Sequence, residues 1–240
     1  MITIRAARPG DSQAVAQVIT ESWHDNTADP THIARVIRDT ARVTLLAEQD
    51  RAVLGFVDSF LTLAADGTPR WEVDLLGVRP AARGRQIARQ LVSAAVEAGR
   101  AQGAMLARAL IRRDNPASQR VFAACGFSEL AQRQILYLAD GAAGPRQHIT
   151  HGCWLLPVVT LTYRGLWIEG APARSDFAAA RAIVEWGGWD VAGAVLPANS
   201  TAIEAASSAG FQAANEYAWW TRALTADAEP APPSGHRRDG

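Results

Sequence analysis

The chain has 240 residues, enough for one large domain or two modest ones, and its 48% hydrophobic content can fill a substantial core. Its 24 basic side chains balance 24 acidic ones, so no general affinity for nucleic acid or an anionic membrane is expected. Every basic residue is Arg; the absence of Lys excludes a GxxxxGK[ST] phosphate loop, a Schiff-base lysine and a lysine general base, so any bound phosphate must be held by Arg or by backbone N–H groups.

The abundance of Ala and Gly points to GC-rich codon bias as the origin of the all-Arg content. Two cysteines, Cys125 and Cys153, are too few for a disulfide framework, and the start Met-Ile-Thr-Ile-Arg lacks a secretory pattern. The longest apolar stretch, Trp154–Val159, is too short to span a bilayer, and a reducing cytoplasm is the expected location.

Ile2–Ala6 alternates as a short strand, and a helix capped by Asp11 is expected to run to about Trp23, with Ala14, Val15, Val18 and Ile19 on one face. A second helix is predicted over Thr31–Ala41 after the Asp29-Pro30 break. Strands follow over Val43–Ala47 and Val53–Leu63, joined by the tight Glu48–Arg51 connection, and a further strand over Trp71–Val78. Arg79–Arg85 reads as a polar, Gly-containing loop opening a long helix over Gln86–Gln102. Ala104–Arg112 is a strand, Asn115-Pro116 starts a short helix ending at Cys125-Gly126, and Phe127–Leu138 is extended. This order is mixed α/β. Gly141–Gly152 is the best linker in the chain.

Beyond the linker the pattern partly recurs. Asn115 and Phe127 bound NPASQRVFAACGF, and Asn199 and Phe211 bound NSTAIEAASSAGF; both offsets are 84 (199 − 115 and 211 − 127). Gly126 matches Gly210, and Gly103 matches Gly187 at the same offset. An internal duplication is expected, truncated because nothing after the linker corresponds to the two N-terminal helices. The alternative is convergence of two βα units on Asn caps and Gly C-caps. The tail from Ala226 has the composition of a disordered segment.

The segment VDLLGVRPAARGRQIARQLV carries the first chemical signal. A helix N-terminus after a Gly-bearing loop offers unsatisfied N–H groups and the positive end of the helix dipole, which suits phosphate. Arg83, Arg85 and Arg89 place cations where helices prefer acids, an arrangement that an anionic ligand would reverse. The run from Val78 to Ala88 resembles the acyl-CoA pyrophosphate signature of the GNAT acetyltransferase superfamily, [Q/R]-x-x-G-x-[G/A]. Arg83 and Ala88 match its first and last positions, and Gln86 stands where Gly is usual. A second signature, N-x-x-A-x-x-x-Y-x-x-x-G-F, resembles Asn115–Phe127, with Ser118 at the Ala position and Phe122 at the Tyr position.

The resemblance covers about residues 1–139. It implies a GNAT-type fold with a partly open, mostly antiparallel mixed sheet flanked by helices. Residues 1–139 would form the catalytic domain, 140–152 the linker, 153–225 a degenerate partial copy with a βαβαβ order, and 226–240 the tail. By the same resemblance, Leu76, Gly77 and Val78 bond the pantetheine arm through their backbone. Gly84, Arg85, Gln86, Ile87, Ala88 and Arg89, with Arg83, cradle the pyrophosphate. Asn115 meets the pantetheine region and Phe122 packs near the thioester.

Acetyl-CoA is the implied co-substrate, with no metal, and the acceptor is an amine: a small molecule, a protein N-terminus or a lysine. A homodimer is left open. The competing class is a catalytically impaired acyl-CoA-binding regulatory protein, because Phe122 lacks the hydroxyl with which many relatives protonate the leaving thiolate. A nucleotide-binding module is a third.

Acyl transfer to an amine needs a base for the ammonium proton. Glu72 and Asp74 share one face of their strand by alternation, with Leu76 and Val78 after them. A carboxylate on the floor of a half-buried cleft is pushed toward the range useful to a base. Some GNAT members carry a catalytic Glu at the position of Glu72, which makes it the first candidate and Asp74 the second; the alternative is that Glu72 pairs with an Arg. Cys125 reads as a small buried residue, and His148 and His151 lack further ligands for a metal. Glu21–Asp25 could present acids and an aromatic ring to a cationic amine.

Projecting the 84-residue offset backward places Trp167–Pro172 over Arg83–Ala88, with Glu169 replacing an Arg and Pro172 removing a donor; such a loop should not hold pyrophosphate. Trp154, Trp167, Trp186, Trp189, Trp219 and Trp220 concentrate in this half, as core, as a contact face or as a substrate wall. The half is expected to complete a sheet or to roof the acceptor cleft.

Overall fold

The structure, a computed structural model, describes residues 1–23, 28–144 and 149–225. The first half runs β1 (Thr3–Ala6), α1 (Ser12–Ser22), α2 (Pro30–Val36), β2 (Arg42–Gln49), β3 (Ala52–Leu63), β4 (Pro69–Val78), α3 (Ile87–Ala101), β5 (Leu106–Arg112), α4 (Pro116–Ala124), β6 (Ser128–Glu129) and β7 (Gln134–Ala139). The second runs β8 (Cys153–Val159), β9 (Arg164–Gly170), α5 (Arg174–Gly187), β10 (Val191–Pro197), α6 (Ala202–Ser208) and β11 (Gln212–Ala223). His24, Asp25, His148 and the tail from Ala226 lie outside the described residues. No helix among the described residues is long and apolar enough to cross a membrane.

All strands join one sheet of order β1-β2-β3-β4-β5-β11-β7-β10-β9-β8, with β6 pairing β11. Within it β4–β5 and β9–β10 are parallel and the other pairs antiparallel. The two halves exchange their last strands. β11, from the end of the chain, pairs β5 of the first half from Tyr217 to Ala223, and β7 pairs β10 of the second half. β7 and β11 then pair with each other at the centre. Trp220, Ala218 and Leu224 consequently belong to the first half's core, beside Trp71, Leu91, Phe122 and Phe127.

The duplication is visible in shape. The order β9-α5-β10-α6-β11 follows β4-α3-β5-α4-β6/β7, and Gly126 and Gly210 are both left-handed, at φ 80° and 86°. The gapless alignment is not. The glycine that ends α5 in the left-handed region is Gly188 (φ 65°), matching Gly103 (φ 75°) at an offset of 85 (188 − 103), so Gly187 is not its counterpart. The backward projection fails for the same reason. Trp167–Gly170 is strand, and the link from β9 to α5 is only Ala171–Ala173, whereas β4 and α3 are separated by residues 79–86.

Other expectations shift locally. The second helix stops at Val36 because Arg42 enters β2 opposite Phe60 and ion-pairs the fully buried Asp58, which commits the preceding residues to a turn. Asp11 does not cap α1 through its side chain; its carboxylate is taken by Arg5 at 2.8 Å and by the Arg8 N–H at 2.7 Å. Phe127–Leu138 is interrupted between Glu129 and Gln134, where this path carries two more residues than β11 opposite it.

α3 lies across β2, β3 and β4 through Leu91, Val92, Ala95 and Val96. Gly99 sits where the helix crosses Trp71, and a Cβ there would stand 2.6 Å from Trp71 Cγ. Ala is intrinsically the better helix residue by about 1 kcal/mol. Gly99→Ala is nevertheless expected to lower the melting temperature, because overpacking against a fully buried indole costs about 1–3 kcal/mol. An unchanged or raised thermal midpoint would contradict this packing.

Candidate active site

β4 pairs β5 only from Arg70 to Glu72, opposite Leu106–Arg108; beyond that point the strands part. β4 continues along β3, and Leu76, Gly77 and Val78 pair Val57, Phe56 and Gly55 on that side. Their edge toward β5 therefore stays open. A bulge sits where the parting begins: Val57 faces Leu76 and Ser59 faces Val73, so Asp58 alone stands opposite Asp74 and Leu75.

The bulge overturns the simple alternation along β4. Trp71 and Val73 face α3, and after the extra residue Leu76 and Val78 take that face, while Leu75 packs with the α1–α2 core. Glu72 and Asp74 thus lie on the face opposite Leu76 and Val78. Gly77 follows Leu75 to the α1 side, where a Cβ would meet Phe56 at 2.8 Å and Trp23 at 3.2 Å.

The two carboxylates have different surroundings. Glu72 is buried and saturated: Thr62 Oγ1 donates to it at 2.5 Å and Arg108 Nε reaches both its oxygens at 2.8 Å. Arg108 also donates to Glu169 at 2.5 Å, and Arg70 donates to Glu169 at 2.9 and 3.2 Å. Burial works to raise the Glu169 carboxyl, but the Arg108 and Arg70 guanidiniums outweigh it and hold it below the usual carboxylate range. The network therefore ties the second half to the first through a residue 99 positions from Arg70.

Asp74 accepts no hydrogen bond among the described residues. Solvent reaches its side chain, yet it stands on the floor of a cleft walled by Phe60, Leu110, Tyr163, Trp167 and Trp219. Loss of hydration there, then the charges of Asp58 and Glu72 against the opposing pull of Arg42, push its pKa up to about 7. Tyr163 beside it is held well above the ordinary phenol range by burial and by the Asp74 charge, and its hydroxyl accepts the Trp167 indole N–H at 3.1 Å.

The loop before α3 forms the second part of the site. The N–H groups of Gly84, Arg85, Gln86, Ile87, Ala88 and Arg89 find no protein acceptor among the described residues, and the first turn of α3 carries no acid. Gly84 (φ 77°) and Gln86 (φ 60°) are both left-handed. The Gln86 conformation is one that Gly adopts without strain, which explains the usual Gly at that place. Arg83, Arg85 and Arg89 are exposed around the cradle. Arg79 is not available to it, since it ion-pairs Glu21 and donates to the Val53 carbonyl at 2.7 Å. The unmet donors, the cations and the open edge of β4 together fit an acyl-CoA with its pyrophosphate on α3.

The remaining predicted residues have structural partners. Asn115 caps α4, accepting the Ser118 N–H at 3.1 Å. Phe122 is buried edge-on against Phe127, with centroids 5.0 Å apart. Cys125 is buried, 3.6 Å from the Ser93 hydroxyl and the Arg89 carbonyl. No cluster of metal-ligating side chains occurs among the described residues.

The second half has no matching cradle. Asp176, fully buried in the first turn of α5, accepts from Ala173 N at 2.7 Å and from Thr150 N and Oγ1 at 2.8 and 2.6 Å. Burial opposes its charge, but these hydrogen bonds hold its carboxyl below the usual range. The anion position of α5 is thus filled by the chain itself.

This splayed, bulged sheet with a helix N-terminus at its mouth is the GNAT fold. Residues 12–127 match the Acetyltransferase (GNAT) family. Among solved structures, that of yncA from Salmonella typhimurium with its cofactor acetyl-CoA is 25% identical over 55% of this chain and 82% of that one, with a TM-score of 0.50. Two others share the fold over nearly the whole length. A tandem GNAT protein from the clavulanic acid biosynthesis pathway is 13% identical over 94% of this chain and 99% of its own (TM-score 0.59). A GCN5-related N-acetyltransferase from Sphaerobacter thermophilus is 14% identical over 93% and 96% (TM-score 0.59). No curated protein matches the chain by sequence.

Arg70, Arg108, Tyr163, Glu169 and Asp176 are absent from the sequence-based site. Arg70, Arg108 and Glu169 act through partners far along the chain that no local spacing marks, whereas Tyr163 meets Trp167 four residues on and Asp176 meets the Ala173 N–H at the start of α5.

Proposed function

We propose that the chain is an acetyl-CoA-dependent N-acetyltransferase in which Asp74 is the general base. The observation that carries this reading is the Asp74 carboxylate, exposed and accepting no hydrogen bond among the described residues, at the bulge where β4 and β5 part. Acetyl-CoA, when bound, supplies the acetyl thioester. Leu76, Gly77 and Val78 offer backbone groups along the open edge of β4, and residues 83–89 offer N–H groups and Arg charge to the pyrophosphate. Asp74 takes a proton from the acceptor's ammonium group, directly or through water. The free amine then forms the amide bond as the thioester C–S bond breaks, and the proton that the nitrogen sheds on acylation passes through solvent to the departing thiolate. Glu72 positions Arg108 and Thr62 and carries no proton in this scheme.

One acetyl-CoA per chain is expected, because Asp176 occupies the equivalent place in the second half. Arg85→Ala is expected to weaken acetyl-CoA binding about tenfold, or about 1.4 kcal/mol, with the stoichiometry still one. Isothermal titration reads both quantities; two sites per chain, or an unchanged affinity in an Arg83→Ala/Arg85→Ala double variant, would count against the assigned cradle.

A further inference from the structure

The β8–β9 hairpin closes the Asp74 cleft on the α1–α2 side. Leu161, at its turn, is fully buried among Val15, Ile19 and Ile33. His32 Nε2 lies 2.8 Å from the Thr160 carbonyl oxygen, and Arg42 donates to the Val159 carbonyl. The chamber left at Asp74 holds about 40 Å³, room for one or two water-sized groups and hence for an amino nitrogen but not the body of an acceptor.

A larger cavity of about 350 Å³ opens beside it, between β9 and β10. Arg108, Trp167 and Trp219 line both spaces, so the two meet at those side chains. The larger cavity lies where the second half's own parallel strands part, the counterpart of the β4–β5 opening. With Asp176 seated at α5, that opening is left without a phosphate site.

We infer that this second-half cavity binds the body of the acceptor, and that it selects a primary amine tethered to a flat, uncharged ring. The inference rests on the transferase reading above only for the fate of the amine. Trp167 and Trp219 form an aromatic corner, with centroids 6.4 Å apart and planes at 52°. Pro172 and Pro197 extend its apolar surface. The charges in the wall are already matched: the Arg108 guanidinium stacks 4.2 Å above Trp219 and bonds Glu72 and Glu169, and Glu169 is also held by Arg70. Neither an anionic group nor a second cation finds an unpaired opposite charge there. The hydroxyl side chains of Ser200 and Thr201 supply further polar groups. The volume lies in the range of small-molecule sites, which combine apolar walls with a few polar groups.

Ligand-observed NMR titration of phenethylamine into the full chain saturated with CoA tests the assignment. Wild-type protein is expected to bind it, and to bind propylamine and spermine at least tenfold more weakly. Thr201→Phe, at an exposed position, and Ser200→Phe are each expected to weaken phenethylamine about tenfold while CoA affinity stays unchanged. Absence of phenethylamine binding to wild type, equal binding of propylamine or spermine, or full affinity in both variants would overturn the proposal. Failure of the transferase reading has a different signature: phenethylamine binds, but no acetyl transfer follows.

Discussion

Asp74→Asn is expected to lower kcat/KM for amine acetylation by roughly 10²–10⁴-fold, the range a positioned general base supplies. The cause is the pairing of an open carboxylate with a pKa near the operating pH. In wild type only the ionised form accepts a proton, so kcat/KM should rise with pH through about 7 and then level. The variant should lack that limb and retain its acetyl-CoA affinity. A stability readout checks the same shift independently. The folded-state pKa lies above the value of 3.8 for an unperturbed Asp, so folded protein binds more protons than unfolded protein between these values, and ionisation of Asp74 destabilises the fold as pH rises through about 7. Asp74→Asn should therefore raise the melting temperature at pH 8 relative to wild type and change it little at pH 4. Glu72→Gln should behave in the opposite way, preserving the pH limb while lowering stability, because it weakens the anchor of the partly buried Arg108. If Glu72→Gln abolished the limb and Asp74→Asn kept it, the roles given to the two residues would be reversed.

The second large effect concerns the exchanged strands. A chain ending at Ala139 is expected to be insoluble or to unfold without cooperativity, although it contains every residue of the proposed acetyl-CoA cradle. Without β11, β5 loses its antiparallel partner from Leu106 to Arg112, and β7 loses partners on both sides. The first half's core also loses Trp220 and Leu224. Truncating one buried Trp costs about 3–5 kcal/mol and one Leu about 2–5 kcal/mol. Their sum already matches the 5–15 kcal/mol that typically separates a folded domain from its unfolded chain. Co-expressing residues 1–144 with residues 145–225 should restore a soluble complex that binds acetyl-CoA. A soluble, monomeric 1–139 fragment with a cooperative melt and wild-type affinity would show that the exchange is dispensable.

The interdependence of the halves was only partly legible in the sequence. The recurrence of Asn, Gly-Phe and a short helix marks a second copy, because capping and left-handed glycines are local requirements that survive sequence drift. It carries no signal of which strand pairs with which. Pairing is decided by where β7 and β11 meet, and two copies of one unit satisfy the same hydrogen bonds whether they keep or trade their last strands. The choice between Glu72 and Asp74 has a similar origin. Period-two spacing places both on one face, but an extra residue at Asp74–Leu75 and an arginine 36 positions away determine which is free.

The amino-acid sequence by itself determined how phosphate can be held. With 24 Arg and no Lys, only guanidinium and backbone groups are available, and the Gly-bearing loop read over Arg79–Arg85 before a helix places them at one end of α3. Those are local features, set by turn conformation and helix termini. Tertiary structure alone decided the rest: that Glu72 is spent on Arg108, that the Asp74 carboxyl is pushed up, and that the second half walls the cleft while Asp176 fills the head of its own α5. Each of these depends on charge and burial between residues distant in the chain, and such energies are fixed by proximity in space, not by spacing in sequence.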